Sequence, residues 1–309
     1  MAKKILTVKN LAVSFHMTNR LGDVIYSQGI KEISLDIKEG EIVAVIGASG
    51  SGKSLLAHAI LGILPYNAEV TGEMYYQEEK ISPRRQAELR GSEVALIPQS
   101  VTYLDPLMKV GEQVRGLTGN PEEQRGIFNL LQLEERVEQL YPFQLSGGMA
   151  RRVLVSTALI SKARLIIADE PTPGMELRDA VEALKQLREM ADAGKGVLLI
   201  THDIDLAVEV ADRLAVIYDG SLIDIVDAKL FKGDGSGIHH PYTRALYQSL
   251  PQNGFTLFDL KEVEAYAQTP ENSAFPYPNG AQMKAEERIV VTNPNEVSQQ
   301  QSTMEKEGL

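Results

Sequence analysis

The sequence predicts an α/β fold built on a parallel sheet, and three observations carry that prediction. First, short and wholly apolar runs recur: Ile42-Val43-Ala44-Val45-Ile46, Leu165-Ile166-Ile167-Ala168, Val197-Leu198-Leu199-Ile200 and Leu214-Ala215-Val216-Ile217-Tyr218. Apolar runs without alternation are what strands covered on both faces show. Second, helical patterns separate these runs, at 176–191 and 204–212 among others, and such alternation builds parallel sheets. Third, the first run passes into its helix through a glycine-rich turn, Gly47-Ala48-Ser49-Gly50-Ser51-Gly52-Lys53-Ser54.

Taken in order, residues 5–15 have strand character with only partial alternation, and Ile33-Ser34-Leu35-Asp36-Ile37 alternates as a half-buried strand. Lys38-Glu39-Gly40-Glu41 is a turn into the strand at 42–46. After the glycine-rich turn, Leu55, Leu56, Ala59, Ile60 and Ile63 mark one helical face, expected to end near Pro65. Residues 70–98 read as short strands and a polar excursion, closing on Val94-Ala95-Leu96-Ile97. From Gln99 to about 160 the texture turns helical, with Leu130, Leu131, Leu133, Val137 and Leu140, then Arg151 to Leu159. Asp219-Gly220 between two strand-like runs is a hairpin signal. A glycine-rich stretch at 232–237 precedes a short helical piece at 241–250. The last thirty or so residues, with Pro276, Pro278, Pro294 and Gln299-Gln300-Gln301, are expected to be largely disordered.

Composition narrows the function. The chain has 309 residues and a net charge of −11, against the basic face that nucleic-acid binding requires, so no nucleic-acid partner is expected. It contains no cysteine, which excludes disulfides, thiolate metal sites and iron–sulfur clusters. Lys9 and Asn10 cut short any signal-like apolar stretch, and no run approaches the roughly 20 residues needed to span a bilayer. The expected location is cytoplasmic, with any membrane work done through partners.

A buried strand, a glycine-rich turn and a helix in that order form a phosphate cradle, the P-loop or Walker A pattern. Gly47, Ala48, Ser49, Gly50, Ser51 and Gly52 would turn backbone N–H groups toward phosphate oxygens, and the helix adds its unpaired N-terminal donors. Lys53 would reach the terminal phosphates of ATP, and the Ser54 hydroxyl would ligate Mg²⁺. The strand at 165–168 delivers Asp169 to the metal shell and Glu170 to the attacking water. His202, at the C-terminal end of the next strand, can bond the γ-phosphate, and Gln99 could touch the metal or the water through its amide. Leu145-Ser146-Gly147-Gly148-Met149 opens another helix and offers a second anion-binding N-terminus; read blandly, it is a serine cap after a loop. One nucleotide does not need two cradles in one chain, so this one would serve a nucleotide held by another subunit.

These five motifs, in this order over roughly residues 5–250, resemble the ATP-binding subunits of ABC transporters. The resemblance implies a P-loop NTPase core of the RecA-like kind, an N-terminal antiparallel β subdomain, and a helical subdomain inserted at about 99–160. The ATPase domain would then span 1–250 and a C-terminal extension 251–309. It also implies a head-to-tail pair in which Ser146, Gly147 and Gly148 cap ATP on the partner's P-loop. Phe15 and Tyr26 are the two candidates for stacking on adenine.

Leu61-Gly62-Ile63-Leu64-Pro65, Tyr141-Pro142-Phe143-Gln144 and His240-Pro241-Tyr242-Thr243-Arg244-Ala245-Leu246 are similar to the peptide and nickel importer group. That likeness implies a second, different ATPase subunit, two permeases and an external substrate-binding protein. It also implies a place on the cytoplasmic face of the membrane. Two departures stand out: Met149 in place of the commoner glutamine, and Pro173-Gly174-Met175-Glu176 where the family commonly has Ser-Ala-Leu-Asp. The second favours weighing an alternative, a regulatory ATP-binding subunit with little turnover of its own. A soluble family member acting on ribosomes or DNA is disfavoured by the acidity and by the single cassette.

Overall fold

The computed structural model describes residues 2–18, 24–116 and 119–254. The expected disorder of the last thirty residues lies outside the described residues. The chain divides into two compact units, Met1–Ser236 and Gly237–Leu309.

The first unit opens with two long strands, β1 (Lys4–Thr18) and β2 (Val24–Lys38), paired antiparallel. Register shifts between Val8 and Leu11 and between Leu11 and Val13, with Asn10 at φ 48°, explain why the alternation in the sequence is only partial. The buried run becomes β3 (Ile42–Ile46), followed by α1 (Lys53–Leu61). Helix α1 stops at Leu61, ahead of Pro65, because Gly62 caps it in the left-handed conformation. Next come β4 (Ala68–Tyr76), β5 (Glu79–Lys80), α2 (Pro83–Leu89) and β6 (Val94–Ile97). Helix α2 falls in the stretch read as a polar excursion; Ser82 caps it by accepting from the Arg85 N–H, with Pro83 at its first position.

The helical stretch contains α3 (Val110–Arg115), α4 (Pro121–Leu130) and α5 (Gly147–Leu159), with short 3-10 turns before α3 and between α4 and α5. Leu104, Val110, Val114, Phe128, Leu133, Val137, Val153 and Leu154 form a buried cluster of their own. The rest of the unit alternates β7 (Leu165–Asp169), α6 (Leu177–Asp192), β8 (Gly196–Ile200), α7 (Ile204–Val210), β9 (Arg213–Tyr218) and β10 (Ser221–Asp227), then the short α8 (Lys229–Lys232). Asp219 and Gly220 both have positive φ, the two-residue hairpin turn that the sequence predicts. In the second unit, α9 (Pro241–Gln248) has Pro241 at its first position and His240 as its cap.

Among the described residues the strands form one sheet in the order β5-β4-β1-β2-β10-β9-β3-β8-β7-β6. Its β9-β3-β8-β7-β6 half is parallel and its β5-β4-β1-β2 side antiparallel. The fold is thus that of a P-loop NTPase cassette with an antiparallel β region and a helical insertion. Register decides where the site falls. Val45 pairs with Ile200, Ile200 with Asp169, and Ala168 with Ile97, so the carboxyl ends of β3, β8, β7 and β6 lie along one edge. Open α/β sheets bind ligands at that edge.

Candidate nucleotide site

The glycine-rich turn leaves β3 and wraps onto the start of α1. At Gly47, φ is 149° and an added Cβ would collide with the backbone carbonyl of Ile217 on β9. At Gly52, φ is 97° and a Cβ would come within 2.6 Å of the Gly29 carbonyl oxygen. Only glycine satisfies both positions, so the turn is a concave backbone cradle held between β2 and β9. The Gly220 N–H donates to the Ser51 carbonyl at 3.2 Å and braces the turn from the β9–β10 hairpin. Helix α1 has no side-chain cap and no acidic residue in its first turn, so its leading N–H groups and positive dipole end stay available to an anion.

Lys53 is buried, and its ammonium donates to the carbonyls of Gly47 and Ala48, both at 2.8 Å. Burial lowers its pKa, while Glu170 and Asp169 pull the other way. The Ser54 hydroxyl donates to Asp169 Oδ1 at 2.9 Å. Asp169 ends β7 fully buried, and that burial raises its pKa despite the bond from Ser54. These two hard oxygen donors suit Mg²⁺, which takes one or two protein oxygens and completes its shell with water and phosphate.

Glu170 follows with φ 48°, a left-handed backbone that is strained for a non-glycine residue. Its N–H donates to the Ile200 carbonyl at 2.9 Å, which locks the turn to the end of β8. Both carboxylate oxygens lie 2.9 Å from His202 Nδ1, which donates to them. That bond raises the His202 pKa, with burial opposing it. Glu170 itself is buried, whereas the His202 side chain is 59% exposed.

The structure therefore brings Lys53, Ser54, Asp169, Glu170 and His202 to one edge, with bonds spanning 115 residues between Ser54 and Asp169 and 32 between Glu170 and His202. Gln99 lies at the same edge beyond β6, exposed and outside this bonded network. Ser146, Gly147 and Gly148 lie on the helical insertion. Ser146 caps α5, accepting from the Met149 N–H at 3.3 Å, so the helix begins four residues earlier than the sequence pattern placed it. Phe15 is half-buried against the core and touches the space left by Gly29, whose carbonyl faces Gly52. Tyr26 pairs in register with His16, one residue on from the Phe15–Ser27 pair, so it occupies the opposite face of the ribbon. It is 67% exposed and its ring lies edge-on to His16 at 4.7 Å.

Sequence reasoning missed Arg151, which is buried on α5 and donates to the Pro98 carbonyl at 2.9 Å, immediately before Gln99. An arginine beside a glycine pair looks like an ordinary surface charge, and only the tertiary contact reveals it. It also missed Gly29, whose missing side chain leaves room for Leu55 and Phe15 to pack against the backbone there.

A glycine cradle at the end of a buried parallel strand, with an acidic pair ending the strand at β7, defines a P-loop nucleotide triphosphatase. The family described as ABC transporter matches residues 30–173. The chain is 37% identical to the oligopeptide transport ATP-binding protein OppD of Lactococcus lactis subsp. cremoris over 268 residues, covering 81% of this chain and 77% of that one. It is 33% identical to the dipeptide transport ATP-binding protein DppD of Bacillus subtilis, covering 89% of this chain and 84% of that one. Among solved structures, the ATP-binding cassette MJ0796, a dimer in a post-hydrolysis state bound to ADP and Pi, superimposes with a TM-score of 0.63 at 28% identity. That match covers 72% of this chain and 99% of the cassette. The chain belongs to the ATP-binding proteins of the ABC transporter family. It binds ATP and is an ATPase of that family, as its sequence and fold both require.

Proposed function

We propose that this chain is the ATP-hydrolysing subunit of a peptide importer and that its own site turns over. The observation that carries this is the intact hydrolytic set at one sheet edge: Lys53, the Ser54–Asp169 oxygen pair, and Glu170 bonded to His202. Peptides, of the two cargo classes left open by the sequence, are the class named by the OppD and DppD relatives. The regulatory alternative is disfavoured by the same intact Glu170–His202 pair.

In this reading Lys53 exchanges the Gly47 and Ala48 carbonyls for phosphate oxygens, and Gly47 to Gly52 present the cradle's N–H groups. Ser54 and Asp169 would hold Mg²⁺, which would supply charge neutralisation on the phosphates. Glu170 orients the attacking water and accepts its proton; His202 leaves the carboxylate to hydrogen-bond the γ-phosphate, so the base is released as the triphosphate arrives. Gln99 contributes from the β6 end. Phe15, on the cradle side of the ribbon, is the adenine-stacking residue in preference to Tyr26. Ser146, Gly147 and Gly148 cap a nucleotide on the P-loop of a second ATPase subunit.

Val101, Tyr103, Leu107 and Met108 are exposed just beyond Gln99, and apolar residues so clustered in the chain support docking of permease subunits there. Among the described residues no helix is long and apolar enough to cross a membrane, which fits peripheral attachment at the cytoplasmic face through two permeases. An external substrate-binding protein would deliver the peptide. Glu170→Gln tests the central role. In the assembled transporter with the partner's site disabled, ATP turnover should disappear while ATP binding persists; undiminished turnover would overturn the assignment.

A further inference from the structure

Arg151 and Arg152 are neighbours on the first turns of α5 yet leave the helix in different directions. Arg152 donates to Asp179 Oδ2 on α6 at 3.0 Å, tying α5 to the helix that follows the Pro173–Glu176 loop. Arg151 is 7% exposed and donates to the Pro98 carbonyl at 2.9 Å, just past the end of β6. Burial draws its guanidinium below the ordinary range, and the negative field of Glu170 and then Asp169 opposes that fall. A buried cation requires compensation, and this one takes it at the catalytic edge, outside the apolar cluster of the helical insertion. Pro98 has no N–H of its own, and the residue after it is Gln99, whose side chain is exposed. The carbonyl that Arg151 holds therefore sets the direction in which Gln99 leaves β6.

We propose that Arg151 is a positioning residue for hydrolysis: it ties helix α5, which carries Ser146–Gly148 at its start, to the strand end that carries Gln99. Through this bond, movement of the signature helix and placement of Gln99 become one event. A partner nucleotide seated on Ser146–Gly148 then aligns Gln99 in this chain's own site. The inference rests on the reading of Gln99 as an ATP-site residue, and the test separates the two.

The experiment is a double-mutant cycle on the ATP turnover of the assembled transporter with the partner's site disabled for hydrolysis, using Gln99→Ala, Arg151→Met and the pair. Each single change should lower kcat about tenfold, Arg151→Met by loss of one charge-assisted hydrogen bond and Gln99→Ala by loss of the amide that Arg151 places, with the KM for ATP little changed. The pair should be no worse than Gln99→Ala alone, and Arg151→Lys should restore most of the turnover. A pair that multiplies to about a hundredfold loss shows that Arg151 acts by a route other than Gln99, and overturns the proposal. Full turnover in Gln99→Ala removes Gln99 from the site and overturns the underlying reading instead. Arg152→Met, whose bond runs to α6, should multiply with Gln99→Ala and so marks what a merely structural loss looks like. If Arg151→Met does not fold, Arg151→Gln takes its place in the same cycle under the same criterion.

Discussion

The two glycine-bearing helix starts of this chain, at α1 and at α5, solve opposite problems. Around α1, the glycines have intramolecular reasons: a side chain at Gly47 would strike Ile217, one at Gly52 would strike Gly29, and Gly50, though open, has φ 80°. Three side chains nearby are also bonded from within, Lys53 by two carbonyls, Ser54 by Asp169 and His202 by Glu170. Around α5 the reverse holds. A Cβ at Gly147 would meet nothing within 4 Å, and one at Gly148 only the Gly174 carbonyl at 3.9 Å. Glycine at a helix start forfeits up to about 1 kcal/mol relative to alanine, so these two residues weaken α5 without any gain inside the chain. Their lack of side chains makes sense when another molecule approaches the backbone there. One cradle is shaped by contacts within its own chain; the other is open, as the proposed closure on a partner's nucleotide requires.

The sharpest way to break this contrast is to fill each cradle. Gly47→Ala should abolish ATP binding and cost several kcal/mol of stability, because both the backbone conformation and the Ile217 contact forbid it. Lys53→Ala, which gives up two bonds to the turn but adds no clash, should lower turnover on the order of 10³-fold, the range for removing one preorganised transition-state charge; turnover assays of the assembled transporter with the partner's site disabled read both. Gly147→Ala should do something different. Thermal denaturation of the chain should show unchanged or slightly raised stability, by about 0.5 kcal/mol, while transporter turnover falls about tenfold. Loss of stability in Gly147→Ala would mean that the open cradle has an intramolecular role after all.

What the sequence made legible divides along the same line. Spacing of glycines, the Asp169-Glu170 end of an apolar strand and the Asp219-Gly220 turn are local patterns, and each appears in the structure where the pattern put it. Pairings across the chain were legible only as roles. That Glu170 and His202 hold each other, or that Ser54 donates to Asp169, depends on strand register between β7, β8 and β3. That Phe15 and Tyr26, the two candidates for stacking on adenine, lie on opposite faces likewise needed the β1–β2 register, since adjacent residues on a strand face opposite ways. Arg151 was illegible because nothing local distinguishes a buried arginine from a solvated one.

A smaller effect sharpens the account of the satisfied cradle. His202 has its pKa raised by Glu170, so the pair stabilises the nucleotide-free fold most fully below the unfolded histidine's value, about 6.5. That contribution is lost as pH rises through the elevated folded value. The ring is 59% exposed, and solvent screening keeps the effect within roughly 1 kcal/mol. Following the His202 ring by NMR titration should give a value above the ordinary histidine range, falling back toward it in Glu170→Gln. An unshifted titration in the parent protein would show that the pair does not persist in solution.

The central claim is that Ser146–Gly148 closes on a nucleotide held by another subunit. The chain has no cysteine, so a single one can be placed without background. Ser146→Cys in this chain, paired with one cysteine in the partner's glycine-rich turn, should form an inter-subunit disulfide in the assembled transporter when ATP is present and hydrolysis is blocked in both sites, by Glu170→Gln here and by the matching change in the partner. Little should form without nucleotide. Absence of the crosslink with ATP, or crosslinking indifferent to ATP, would contradict the account.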